Sequence, residues 1–96
     1  MIYVDDVEIP FRNMIMSHLM PGPGTSIHEL ITFGKKIGLR RYCVQLNSDV
    51  PHFDVSKSMK ARAIKNGAIA ISTREQTWSD ILAYWRSNRN GGCIDI

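Results

Sequence analysis

The chain has 96 residues, 44% hydrophobic and 22% charged, which places it among single globular domains and excludes a disordered tail. A net charge of +3 and a pI near 9.1 tolerate nucleic acid or phosphorylated ligands without demanding them, since binding by charge alone needs a denser basic stripe. No apolar run approaches the about 20 residues of a membrane span, and Cys43 and Cys93 lack CxxC spacing, which suits a reduced cytoplasmic protein.

Ile2 to Asp5 reads as a short strand ending in two carboxylates, Asp5 and Asp6, where a signal peptide needs basic and then apolar residues. Val7 to Phe11 carries Pro10 and reads as a loop. Met14 to Met20 is apolar around Ser17-His18. As a strand it sets Met14, Met16, His18 and Met20 on one face, and a single helical turn fits the same residues. Pro21-Gly22-Pro23-Gly24 is the clearest breaker. Ser26 and Glu29 have capping-box spacing, and Ile27, Leu30, Ile31, Gly34 and Ile37 follow at helical period, so a helix is expected over Ile27–Ile37 with Gly38 ending it.

Arg41 to Leu46 reads as a strand and Asn47 to Pro51 as a polar loop. His52-Phe53-Asp54 follows. In extended chain, residues two apart point the same way, so His52 and Asp54 share a face and Phe53 points opposite. A helix over Lys57–Lys65 closes at Asn66-Gly67, and Ala68 to Ile71 reads as a short buried strand. Ser72 and Thr73 offer N-caps, with Glu75 and Gln76 at capping-box distance, to a helix over Gln76–Ser87. That helix buries Trp78, Ile81, Leu82 and Trp85. The tail 88–96 is a loose end or a short edge strand. Two tryptophans on the last helix, the apolar tail and the modest core of so short a chain motivate a homodimer.

The alternation of strands and helices predicts one small α/β domain over 1–96, a sandwich with a short, largely parallel sheet and three helices. In open parallel sheets ligands bind beyond the carboxyl ends of strands. Asp5 and Asp6 lie at such an end, and the loop bearing His52 and Asp54 is expected on the same side.

Several blocks carry a family resemblance: YVDD at Tyr3–Asp6, SHL at Ser17–Leu19, HFDVSKS at His52–Ser58, and Arg62 with Asn66-Gly67-Ala68. From Ile2 to about Ile71 the chain resembles the domain of unknown function 4031 family, small bacterial and phage proteins. The family pattern has Asp after the first strand, Ser/Cys-His-Leu/Met, and His-Tyr-Asp before a basic helix. Carried to this chain, those positions are Asp5, His18, His52 and Asp54, with Phe53 in place of the usual Tyr. The family often has a His on the first helix where this chain has Ile31, whereas this chain has His28 one turn earlier. The resemblance implies no activity.

Asp5, His18, His52 and Asp54 form the sharpest constellation. Two imidazoles and two carboxylates suit a divalent metal or general acid–base work, although no HxxxH or HxH pair fixes two imidazoles together. The bland alternative is structural: Asp54 caps the following helix, Asp5 ends a strand, and the histidines are satisfied core groups. Ser56, Lys57 and Ser58 at a helix N-terminus form a candidate phosphate cradle, and an ordinary capped amphipathic helix explains them equally. Arg41, beside Arg40 and Tyr42, can pair an anion with an aromatic stack. Cys43 falls in the apolar strand segment, where a thiol is inert.

Carboxylates beside a cationic helix start suit a ligand carrying both sugar or base donors and phosphates. Binding of a nucleotide or nucleotide-derived molecule without turnover is therefore the leading expectation, with sequestration of a host defence signal as its analogue in phage proteins. The site set is Asp5, His18, His52, Asp54, Ser56, Lys57, Ser58 and Arg41, with no cofactor required. The alternatives are a metal-dependent or His/Asp-based phosphoester or nucleotide hydrolase, and an interaction protein that inhibits a host enzyme or binds nucleic acid.

Overall fold

A computed structural model describes residues 1–88. The order is β1 (Ile2–Val4), β2 (Ile9–Phe11), β3 (Met14–Pro21), α1 (Ile27–Ile37), a 3-10 turn (Arg41–Cys43), β4 (Phe53–Ser56), α2 (Lys57–Lys65), β5 (Ile69–Ala70) and α3 (Gln76–Ser87). The expected tail strand lies outside the described residues.

β3 organises the sheet. Met16 pairs with Ile9 of β2 and with Ser56 of β4, and Leu19 pairs with Val4 of β1 and with Phe53 of β4. A strand has two edges, so β1 and β2 share one edge of β3 and β4 takes the other. All three of these pairings are antiparallel, and among the described residues only β1 with β5 is parallel. The expectation of a largely parallel sheet is therefore corrected to a mixed, mainly antiparallel five-stranded sheet within an α/β fold. The reason is that β2 and β3 form a hairpin turning at Arg12-Asn13, where Arg12 takes φ +58. A segment read as a loop because of Pro10 is a strand. Proline lacks the ladder N–H but is accepted on an edge, and β2 pairs with β3 alone.

The register sorts side chains by the two-residue period of the pleat. Ser17 and Leu19 fall on one face with Val55 and Phe53, and Met16, His18 and Met20 fall on the other with Ser56 and Asp54. The first face meets α1, whose Leu30, Ile31, Gly34 and Ile37 are buried. Gly34 lets the helix approach the Phe53 ring: a Cβ there would stand 2.7 Å from the ring edge. Phe53, Leu19 and Val55 have almost no solvent exposure.

Local chemistry explains the helix ends. Ser26 Oγ accepts from the Glu29 N–H at 3.0 Å and Glu29 accepts from the Ser26 N–H at 2.6 Å, completing the capping box. Gly38 stops α1 at φ +102, a left-handed geometry that favours glycine. α2 is capped by Ser56, whose Oγ accepts from the Met59 N–H, so Asp54 is not its cap. α3 begins after Glu75 with no side-chain cap, and Ser72 instead accepts from Arg74 within the preceding turn.

The strand expected over Arg41–Leu46 is not formed. Arg41–Cys43 is a 3-10 turn, and among the described residues the segment's one sheet-like pairing is an isolated bridge from Gln45 to His52. Val44 and Leu46 are half-buried, but Arg41, Tyr42 and Cys43 are exposed, Tyr42 at 84%, so the segment has no buried face to hold it in a sheet. Cys43 is accordingly an exposed free thiol rather than a core group.

Candidate functional site

Between Val4, opposite Leu19, and Ile9, opposite Met16, the four residues that join β1 to β2 face two residues of β3. This bulge, Asp5 to Glu8, lies against Ser17 and His18. It is pinned by Asp5 N–H donating to the His18 carbonyl at 3.1 Å, Ser17 Oγ donating to the Val7 carbonyl at 2.7 Å, and Lys60 Nζ donating to the Asp5 carbonyl at 2.9 Å.

The bulge turns the Asp5 side chain onto His18. Asp5 is only 1% exposed. Its Oδ1 accepts from the backbone N–H of His18 at 2.9 Å and of Val7 at 3.2 Å, and its Oδ2 lies 2.8 Å from His18 Nδ1. Burial pushes the Asp5 carboxyl up, but the His18 imidazole and the two backbone donors outweigh it and leave the carboxyl below its ordinary value. The same hydrogen bond, against burial and aided by the charges of Asp5 and Asp54, holds the His18 imidazole above its ordinary value.

β4 supplies the other half. His18 is in register with Asp54, and His52 immediately precedes the strand. His52 Nδ1 stands 2.8 Å from the Val50 carbonyl, an acceptor only, so Nδ1 carries the proton. The two imidazoles meet edge to face, with ring centroids 4.8 Å apart. Asp54 Oδ1 is 3.5 Å from His52 Nε2 and 3.9 Å from His18 Nε2. The Asp54 side chain is 43% exposed, against 26% for His18 and 13% for His52.

His52 thus donates Nδ1–H to a fixed acceptor, His18 Nδ1 faces the Asp5 carboxylate, and both Nε2 atoms lie beside the Asp54 carboxylate. One ligand atom from each of His18, His52 and Asp54 lies within 4.8 Å of the others. Two imidazoles and a carboxylate, with each ring oriented by a second hydrogen bond, form a donor set for a divalent metal. The same groups can also hold and move protons at Nε2.

A cleft of about 230 Å³ opens beside the two rings, lined by Asp5, His18 and His52, by the apolar Met20, Val50, Trp78 and Leu82, and by Ser48 and Asp49. Trp78 and Leu82, expected on the buried face of α3, do pack against the core. They are half-buried and form a wall of the cleft. Trp85, the other tryptophan of α3, is buried and donates its indole N–H to the Pro21 carbonyl at 2.9 Å. No local pattern marks Trp78, Val50 or Met20 as cleft residues, because what joins them is the packing of α3 and the loop before β4.

The eight residues singled out from the sequence divide into three places. Asp5, His18, His52 and Asp54 come together. Ser56, Lys57 and Ser58 line a separate depression with Asn13, Met14 and Ile15. Ser56 follows Asp54 by two residues on β4, about 7 Å along the strand. Arg41 lies with Tyr42, Val44 and Leu46 on a third surface. Lys60, from the next turn of α2, reaches behind the bulge to the Asp5 carbonyl.

No curated protein and no solved structure matches the chain. A family model described as protein of unknown function (DUF4031) matches residues 2–81, a span that holds all four clustered side chains and every lining residue of the cleft except Leu82. The chain belongs to the DUF4031 family.

Proposed function

We propose that the protein is a metal-dependent hydrolase acting on a phosphoester or nucleotide-like substrate. The observation that carries this reading is the convergence of His18 Nε2 and His52 Nε2 on the Asp54 carboxylate, with both Nδ1 atoms engaged by other groups. Three ligands on a tetrahedral ion stand roughly 3.3 Å apart, given bonds of about 2.0–2.2 Å. The set is up to 4.8 Å across, wider than this, with Asp54 Oδ1 at 3.5 and 3.9 Å from the two Nε2 atoms, so a bound ion would draw all three side chains together. A divalent ion there supplies a Lewis acid and a water acidified toward neutrality. The chain supplies the fixed imidazoles, the open approach beside Asp54, and a cleft whose Trp78 and Leu82 wall accepts a flat or apolar group.

A second reading, binding of a nucleotide-like ligand without turnover, draws on the same wall. The Trp78 indole offers a stacking surface next to Ser48 and Asp49, whose oxygens can accept from base or sugar donors. Its link to sequestration of a host signal in a phage setting rests on analogy with other small proteins.

Turnover separates the two. The protein is incubated with a panel of nucleotides and simple phosphoesters in Zn²⁺, Mn²⁺ or Mg²⁺, and product is followed by chromatography. The hydrolase reading expects metal-dependent product that vanishes with chelator. Absence of product with every metal, together with an intact small molecule released on denaturation, would instead establish sequestration.

A further inference from the structure

We propose that Asp5 is a positioning residue that acts through His18, fixing the imidazole as the Nδ1–H tautomer and so making Nε2 the ligating nitrogen. The consequence for metal binding rests on the hydrolase reading above, whereas the tautomer itself does not.

The argument is one of donors and acceptors. An ionised carboxylate only accepts, so the 2.8 Å contact between Asp5 Oδ2 and His18 Nδ1 requires the ring to donate from Nδ1. Asp5 Oδ1 is committed elsewhere, to the backbone N–H groups of His18 and Val7. The carboxylate cannot turn away, because the bulge that carries it is pinned by Ser17 and Lys60.

Substitution of Asp5 by Asn exposes this logic. The amide has one acceptor and one donor end. Two backbone N–H groups point at the Oδ1 position, so the amide oxygen must stay there. The amide NH₂ then faces His18 Nδ1, which must accept. The ring proton moves to Nε2, and the nitrogen beside Asp54 loses its lone pair. His52 provides an internal control. Its Nδ1 faces a backbone carbonyl, which no side-chain substitution at Asp5 alters. A purely structural role for Asp5 would survive in Asp5→Asn, because the oxygen that holds the bulge together is retained.

The test uses the full chain, ¹⁵N-labelled at histidine, as wild type and D5N, with chelator present and over a series of pH values. Imidazole nitrogen shifts report the tautomer. The expected result is Nδ1–H at His18 and His52 in wild type, and a switch to Nε2–H at His18 alone in D5N. Titration with Zn²⁺ should then show about 10–100-fold weaker binding in D5N, the usual cost of losing a group that orients a ligand. D5N/H18A should bind no more weakly than H18A, since Asp5 acts only through His18. An Nε2–H His18 in wild type, or an unchanged tautomer in D5N, overturns the proposal. If D5N fails to fold, the wild-type spectrum still decides, with Nδ1–H supporting the lock and Nε2–H refuting it. A wild type that shows the expected tautomers but binds no Zn²⁺ removes the metal reading and leaves the lock standing.

Discussion

Gly34→Ala probes the contact that sets β4 in place. An added Cβ would lie 2.7 Å from Phe53 Cε2 and 2.8 Å from Cζ, where ordinary carbon contacts are about 3.5–4.0 Å. The ring or the helix must therefore shift by about 1 Å. Phe53 is 1% exposed, so the ring has no open side into which to move. Overpacking of this kind costs about 1–3 kcal/mol, against a gain of about 1 kcal/mol from replacing a mid-helix glycine by alanine. The buried ring puts the cost in its upper range, for a net loss of about 1–2 kcal/mol. For a domain of this size that lowers Tm by about 4–16 °C.

The assay is urea unfolding of wild type and G34A, with the m-value as a check that the denatured state is unchanged. The control is the same substitution in an F53L background, where removal of the ring edge should make G34A neutral or stabilising by up to about 1 kcal/mol. G34A as stable as wild type, or more so, would refute the reasoning. Because Phe53 lies between His52 and Asp54, a displaced ring should also disturb both of these groups, and Zn²⁺ titration of G34A reads that.

Two further outcomes follow from the site. His52→Ala removes one of two imidazole ligands and should weaken Zn²⁺ binding by at least about tenfold, one charged or metal-directed contact being worth about 1.5–3 kcal/mol; calorimetry checks it, and an unchanged affinity would remove His52 from the site. In metal-free protein, the Asp5–His18 pair should make stability depend on pH at both ends. His18 is raised above its ordinary 6.5, so its contribution is complete below that value and is lost as pH climbs through the raised one. Asp5 is depressed below its ordinary 3.8, so its contribution is present above that value and is lost as pH falls through the depressed one. Urea midpoints measured against pH should therefore peak between the two, and D5N should flatten the alkaline limb; an equally steep alkaline limb in D5N would assign it to another group.

Helices were legible in the sequence because their signals are local. Ser26 and Glu29 mark the start of α1 and Gly38 its end, and the apolar period between them is unbroken. α2 and α3 likewise run over the expected residues. Strand direction was not legible, because it is decided by partners far along the chain. β3 meets β4 only after an intervening helix, and nothing in Phe53–Ser56 states whether that pairing is antiparallel. Arg41–Leu46 has strand-like composition but, among the described residues, acquires no strand partner beyond the Gln45–His52 bridge. The site divides in the same way. His52 and Asp54 were joined by a two-residue spacing, and Asp5 and His18 joined them through sheet register. Ser56–Ser58 were placed with them by proximity along the chain, yet the turn into α2 carries them to a different depression.

Asp5 shows how fold and chemistry divide the work of one side chain. A carboxylate at 1% exposure loses several kcal/mol of hydration unless its oxygens are bonded. Here Oδ1 holds the bulge through two backbone donors, and Oδ2 holds His18. The first task needs only an acceptor, and an amide oxygen performs it. The second needs an acceptor on the other atom as well, and only a carboxylate provides both. Stability should therefore separate the tasks. Asp5→Asn keeps the two backbone bonds and exchanges a charged hydrogen bond for a neutral one, a loss of about 1 kcal/mol. Asp5→Ala leaves two N–H groups in a part-buried bulge without their acceptor, at about 1–3 kcal/mol for each left dry, and adds a cavity. D5A should thus unfold at clearly lower urea than D5N, while His18 changes tautomer in D5N. Equal midpoints for D5A and D5N would mean that water replaces the carboxylate at the bulge, and the claim that Oδ1 holds this strand together would fall.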